Sequence, residues 1–97
     1  MNIPEIKETV APIAMRYGVS KVLLFGSRTR GEAKPDSDYD FLITNGELNS
    51  LLQFSGFCMD LEDAFHAQVD VITDTSFDEY LISEAKKDGI LIYEQQR

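Results

Sequence analysis

Residues 24–43 read LFGSRTRGEAKPDSDYDFLI, and three carboxylates, Asp36, Asp38 and Asp40, stand at alternate positions before an apolar run. In a strand, residues two apart project from the same face. Asp38 and Asp40 are therefore expected side by side. Two ionised carboxylates so close repel each other, and something must compensate. A hard divalent cation does so. Mg²⁺ takes carboxylate oxygens and keeps room for phosphate oxygens and water. Asp70, within QVDVIT, is placed to add a third carboxylate from a neighbouring strand.

The first half of the same stretch suits phosphate. Gly26-Ser27 follows an apolar run directly, and SRTR is expected to open a short helix. At such a strand–turn–helix junction the backbone N–H groups point outward and favour anions. Glycine lets the backbone approach a phosphate closely. Ser27 brings a hydroxyl donor, and Arg28 and Arg30 bring forked donors. Lys21, Arg28, Arg30 and Lys34 are four of the chain's nine cations, gathered within fourteen residues. Phosphate on one side and metal on the other is the layout for phosphoryl or nucleotidyl transfer.

These residues need elements to hold them. Residues 3–17 carry apolar side chains at helical spacing (Ile3, Ile6, Val10, Ile13), with Asn2 to cap the start, Pro4 in the first turn and Gly18 as the stop. Pro12 is expected to kink or split that helix. SKVLLFGS reads as a buried strand and YDFLIT as a second. Residues 47–67 read as a helix weakened by SGF at 55–57. QVDVIT alternates cleanly, with Val69 and Val71 on one face and Asp70 and Ile72 on the other. A last helix over 77–87 ends at Asp88-Gly89, and ILIYE is a short final strand. The expected fold is α/β (α+β): a small mixed sheet with helices packed on one side, in one domain spanning 1–97.

Ninety-seven residues suit one modest core. The net charge of −8 weighs against DNA or RNA as a direct ligand. No apolar run is long enough for a membrane helix. The N-terminus does not read as a signal peptide, and the lone Cys58 suits a reducing, cytoplasmic setting.

Gly26-Ser27, the Asp38-x-Asp40 pair and a later strand aspartate, Asp70, together resemble the DNA polymerase β-like nucleotidyltransferases. Within that superfamily the short chain and FGSRTRGEAKPDSDYDFLI resemble the minimal nucleotidyltransferases, antitoxins of HEPN/MNT toxin–antitoxin pairs. The resemblance implies a nucleotidyltransferase fold. It implies that Gly26 and Ser27 hold the β- and γ-phosphates of ATP, that Asp38 and Asp40 bind two Mg²⁺ ions, and that Asp70 completes the second metal site. It further implies transfer of AMP to a tyrosine of a HEPN toxin. A catalytically incidental binding module that neutralises its partner by stoichiometric contact is the alternative. A metabolite or antibiotic nucleotidyltransferase is a third reading, weakened by the lack of room for an acceptor domain.

Other features read more plainly. Asp36, Asp38, Asp40, Ile43 and Glu47 match most of an EF-hand loop, but Phe41 occupies the position that needs glycine, and Gly26, Gly31 and Pro35 disrupt the helix that should precede it. Asp36 is expected to serve a turn and His66 a helix end. Asp60 and Asp63 are expected on a solvated face, Asp74 in a turn and Asp78 at a helix start. Cys58 and the aromatic residues are expected in the core, with Leu48, Leu51, Leu52 and Phe54 packing a helix.

Overall fold

A computed structural model of the chain describes residues 2–29, 38–75 and 78–96. In chain order the elements are α1 (Ile3–Tyr17), β1 (Lys21–Phe25), a 3₁₀ turn (Gly26–Arg28), β2 (Tyr39–Thr44), α2 (Leu51–Phe65), β3 (Val69–Thr73), α3 (Glu79–Asp88) and β4 (Ile90–Glu94).

Local chemistry sets the helix ends. Asn2 and Glu5 form a reciprocal capping box at the start of α1, and Gly18 closes it with a left-handed φ of 71°. The helix runs unbroken through Pro12, which is exposed. The carbonyl that Pro12 deprives of a partner can therefore be met by solvent. The second helix is shorter than 47–67. Gly46 takes a left-handed φ of 58°, and Ser50 caps the start by accepting from the Gln53 N–H. His66 ends the helix in the left-handed region at φ 52°. The helix runs on through Gly56, whose bare Cα lets the Tyr17 hydroxyl approach; a Cβ there would lie 2.9 Å from that oxygen.

The strands form a four-stranded mixed sheet in the order β3-β2-β1-β4. β1 pairs antiparallel with both β2 and β4, and β2 pairs parallel with β3. Alternation sorts the two faces. Val22, Leu24, Tyr39, Phe41, Ile43 and Val69 join Ile6, Val10 and Ala14 of α1 and Phe57, Leu61 and Phe65 of α2 in the main core. Leu23, Phe25, Leu42 and Ile72 meet Leu81, Ile82 and Ala85 of α3 in a smaller second cluster.

The mixed α/β architecture is as expected, and α1 and α2 do share one face. The third helix, α3, packs on the other. The apolar residues of β1 and β2 point both ways, so a one-sided arrangement would leave Phe25 and Leu42 in water. Leu48 is buried and Phe54 half-buried, whereas Leu51 and Leu52 are 81% and 84% exposed. Among the described residues no helix is long and apolar enough to cross a membrane.

Arg16 and the Tyr17 hydroxyl both donate to Asp60 across the α1–α2 seam, at 2.9 and 2.8 Å. Asp60 is thus a bridge between helices as well as a surface residue. Burial raises the Cys58 thiol above its usual range, and Glu62 nearby adds to the rise. Little thiolate is present near neutral pH. Iodoacetamide should therefore alkylate Cys58 several-fold more slowly in the native chain than in the urea-unfolded chain. Equal rates would count against that environment.

Candidate active site

Asp40 and Asp70 occupy adjoining backbone positions where β1 ends and β2 and β3 begin. Asp40 lies opposite Phe25 on one side and in register with Asp70 on the other. The Tyr39 N–H donates to the Gln68 carbonyl at 3.1 Å, which ties the first residues of the parallel pair and holds that register. Leu42 and Ile72, two residues on from Asp40 and Asp70, belong to the α3-side cluster. Asp40 and Asp70 therefore share the α3 face, beyond the apolar patch that α3 covers. Asp38 is exposed and sits one residue before β2 rather than within it.

The glycine–serine turn abuts Asp40. Gly26 has φ 83°, and a Cβ built there would collide with Asp40 Oδ2 and stand 3.2 Å from its Cγ. The bare backbone at Gly26 is what lets the Asp40 carboxylate lie against the turn. The expected short helix is a single 3₁₀ turn, Gly26–Arg28, closed by the Thr29 N–H and Oγ1 donating to the Gly26 carbonyl at 3.1 and 2.8 Å. So short a segment sums few peptide dipoles, and any hold on an anion rests on individual N–H groups.

The remaining sequence candidates divide. The backbone of Ser27 lies in the 3₁₀ turn, but its side chain is outside the described part of the chain. Arg30, Gly31, Lys34, Asp36 and Ser37 also lie outside the described residues. Arg28 lies against an aromatic ring. Its Cζ stands 3.7 Å from the centroid of the Tyr39 ring, on the core face of β2. Lys21 pairs with Thr44 at the far end of the sheet, where it lines a cavity with Lys86 and Asp74. Of the described cations in that sequence cluster, Lys21 therefore stands away from the strand ends that carry Asp40 and Asp70, whereas Arg28 stacks on the neighbour of Asp40.

Backbone register, not side-chain placement, brings Asp40 and Asp70 together. Among the described residues no three His, Cys, Asp or Glu side chains stand as a ready metal-holding group. Mutual repulsion gives like charges reason to turn apart. The donors themselves are all carboxylate oxygens, which fit a hard divalent cation and fit a soft one poorly. Sequence reasoning missed two members of this site. Tyr39 looked like plain core filling, and Gln68 carried no signal because its contribution is a carbonyl.

Residues 8–97 match the family described as "Polymerase beta, Nucleotidyltransferase". A Methanocaldococcus jannaschii protein provisionally named a protein adenylyltransferase is 42% identical over 73 residues, covering 75% of this chain and 78% of the relative. Protein adenylyltransferase MntA of Thermococcus cleftensis is 43% identical over 61 residues, covering 63% of this chain and 62% of the relative. A solved structure described provisionally as a minimal nucleotidyltransferase superposes with a TM-score of 0.77 at 29% identity, covering 93% of this chain and 95% of that one. A chain of a solved structure described as tri-AMPylated Shewanella oneidensis HEPN toxin in complex with MNT antitoxin superposes with a TM-score of 0.74 at 14% identity, covering 98% of this chain and 75% of that one. With its glycine turn against Asp40 and Asp40 in register with Asp70, the chain belongs to the polymerase β nucleotidyltransferase family of enzymes.

Proposed function

We propose that this chain transfers AMP from ATP to a tyrosine hydroxyl of a HEPN-type ribonuclease toxin, and so acts as the antitoxin of that partner. The observation that carries the reading is the junction at Asp40: its register with Asp70, and its contact with a left-handed glycine that opens the phosphate side. The adenylyltransferase names of the relatives and the AMPylated toxin in the Shewanella complex support the choice of donor and acceptor.

In this reading the turn at Gly26 and Ser27, with Arg30, grips the β- and γ-phosphates. Asp38, Asp40 and Asp70 supply the carboxylate oxygens for two Mg²⁺ ions. When bound, such ions neutralise charge on the triphosphate and ease ionisation of the acceptor hydroxyl. The acceptor oxygen forms a bond to the α-phosphorus, the bond from that phosphorus to the bridging oxygen breaks, and pyrophosphate leaves with the electron pair. The acceptor proton passes to Asp70 and on to water.

The charge distribution suits a basic partner. All nine Lys and Arg lie in residues 1–34 and 86–97, so residues 35–85 carry twelve of the seventeen acids and no Lys or Arg. A strongly one-signed surface speeds encounter with a partner of opposite charge. We place this pairing in the cytoplasm, where the lone Cys58 stays reduced.

The test is incubation with adenine-labelled ATP, Mg²⁺ and a purified HEPN toxin. Label should enter a toxin tyrosine, toxin ribonuclease activity should fall in step, and EDTA should stop both. Silencing without any label transfer would replace this reading with that of a stoichiometric binding module.

A further inference from the structure

We infer that Arg28 is a positioning residue: it clamps the Gly26–Arg28 turn to the strand that carries Asp40, and is not itself a ligand of the nucleotide. The inference rests on the nucleotidyl-transfer reading and concerns how that site is held in shape.

The geometry is direct. The Arg28 guanidinium carbon sits 3.7 Å from the Tyr39 ring centroid, well inside the range at which a cation is drawn to an aromatic face. The ring itself is immobilised. Tyr39 is 4% exposed, its centroid lies 4.4 Å from that of Phe65, and it stacks within 9° of Phe41. Tyr39 faces the α1–α2 core, and its neighbour Asp40 faces the α3 side. The clamp therefore grips β2 from behind, through the one residue that separates Asp38 from Asp40. Its other end is two residues from Gly26, whose backbone lies against the Asp40 carboxylate.

Turn and carboxylates are thus pinned to each other from both faces of one strand. Nucleotidyl transfer needs the phosphate cradle and the metal ligands in fixed relation, and small misplacements are costly. A guanidinium also suits stacking better than an ammonium, which explains arginine rather than lysine here.

The experiment is a double-mutant cycle on the full chain, read as calorimetric affinity for AMP-PNP with Mg²⁺. Arg28→Met keeps the stem and removes the charge; Tyr39→Leu removes the ring. Each should weaken binding about tenfold, and the double variant should be no weaker than either single. Tyr39→Phe keeps the ring and should restore wild-type affinity. A phosphate ligand would behave otherwise: Arg28→Met would weaken binding, Tyr39→Leu would not, and their effects would add.

A second measurement needs no variant of the buried Tyr39. In the wild type the Arg28 side-chain protons should show an upfield ring-current shift, and that shift should persist at AMP-PNP saturation. Its loss on saturation would mean that the guanidinium leaves the ring for the nucleotide, and would overturn the inference. A wild-type chain that bound no AMP-PNP would overturn the functional reading and the clamp with it. Normal binding with additive losses would overturn the clamp alone.

Discussion

Asp40→Asn is expected to abolish AMP transfer while the fold stands. The side chain is half-buried against Gly26 and lies in register with Asp70. Asparagine is nearly the same size, so neither the turn nor the strand pairing needs to move. What changes is charge. A neutral amide oxygen is a poor substitute for a carboxylate toward Mg²⁺. The strand pairing on both sides of Asp40 is made by backbone groups, so the variant should still fold and melt cooperatively. The metal's electrostatic contribution is several kcal/mol, so the rate should drop on the order of 10³-fold or more. Steady-state transfer of labelled AMP, with a melting curve as control, checks both halves. A variant that keeps its rate within about tenfold of wild type would place the chemistry elsewhere.

Gly26→Ala should be nearly as damaging, for a different reason. At φ 83° a side-chain-bearing residue is strained, at about 1–2 kcal/mol. The added Cβ also collides with Asp40 Oδ2. Either the turn or the carboxylate must shift, and both belong to the proposed site. Gly18→Ala is the matched control. Gly18 has φ 71°, and its Cβ would lie 2.7 Å from the Glu47 Cβ, at the opposite end of the sheet. Both variants should melt several degrees lower, by about 4–8 °C per kcal/mol in a domain of this size. Only Gly26→Ala should also lose AMP-PNP affinity and AMP transfer. Equal activity in the two would show that Gly26 serves the fold and not the phosphate.

Some of this was written locally in the chain. Asn2, Glu5 and Gly18 delimit the first helix within themselves, because capping is a contact between residues three or four apart. The two-residue period of Val69, Asp70, Val71 and Ile72 sorted the faces of β3 in advance, because a pleat has no other period. The Gly26-Ser27 and Asp38-x-Asp40 spacing suggested a candidate site for the same reason: all of it but Asp70 lies in one continuous stretch. The early end of α2's N-terminal side was less legible. Gly46 and Ser50 were visible, but a buried Leu48 outside the helix looked like one more helical position.

Other features existed only once the sheet had formed. Asp40 falls in register with Asp70 because β2 and β3 lie parallel, a pairing thirty residues apart that no local pattern specifies. The placement of α3 on the second face follows from β1 and β2 having apolar residues on both sides, and periodicity alone does not say which helix covers which side. Arg28 is the clearest case. In the chain it is a cation beside a phosphate-binding turn; in three dimensions a buried ring on the far face of the strand lies within reach and holds it. Sequence determined which groups the protein has to work with and the local bends that expose them. Tertiary structure alone decided which face each one serves, because side-chain direction depends on strand pairing and layer packing, and both are contacts between segments far apart along the chain.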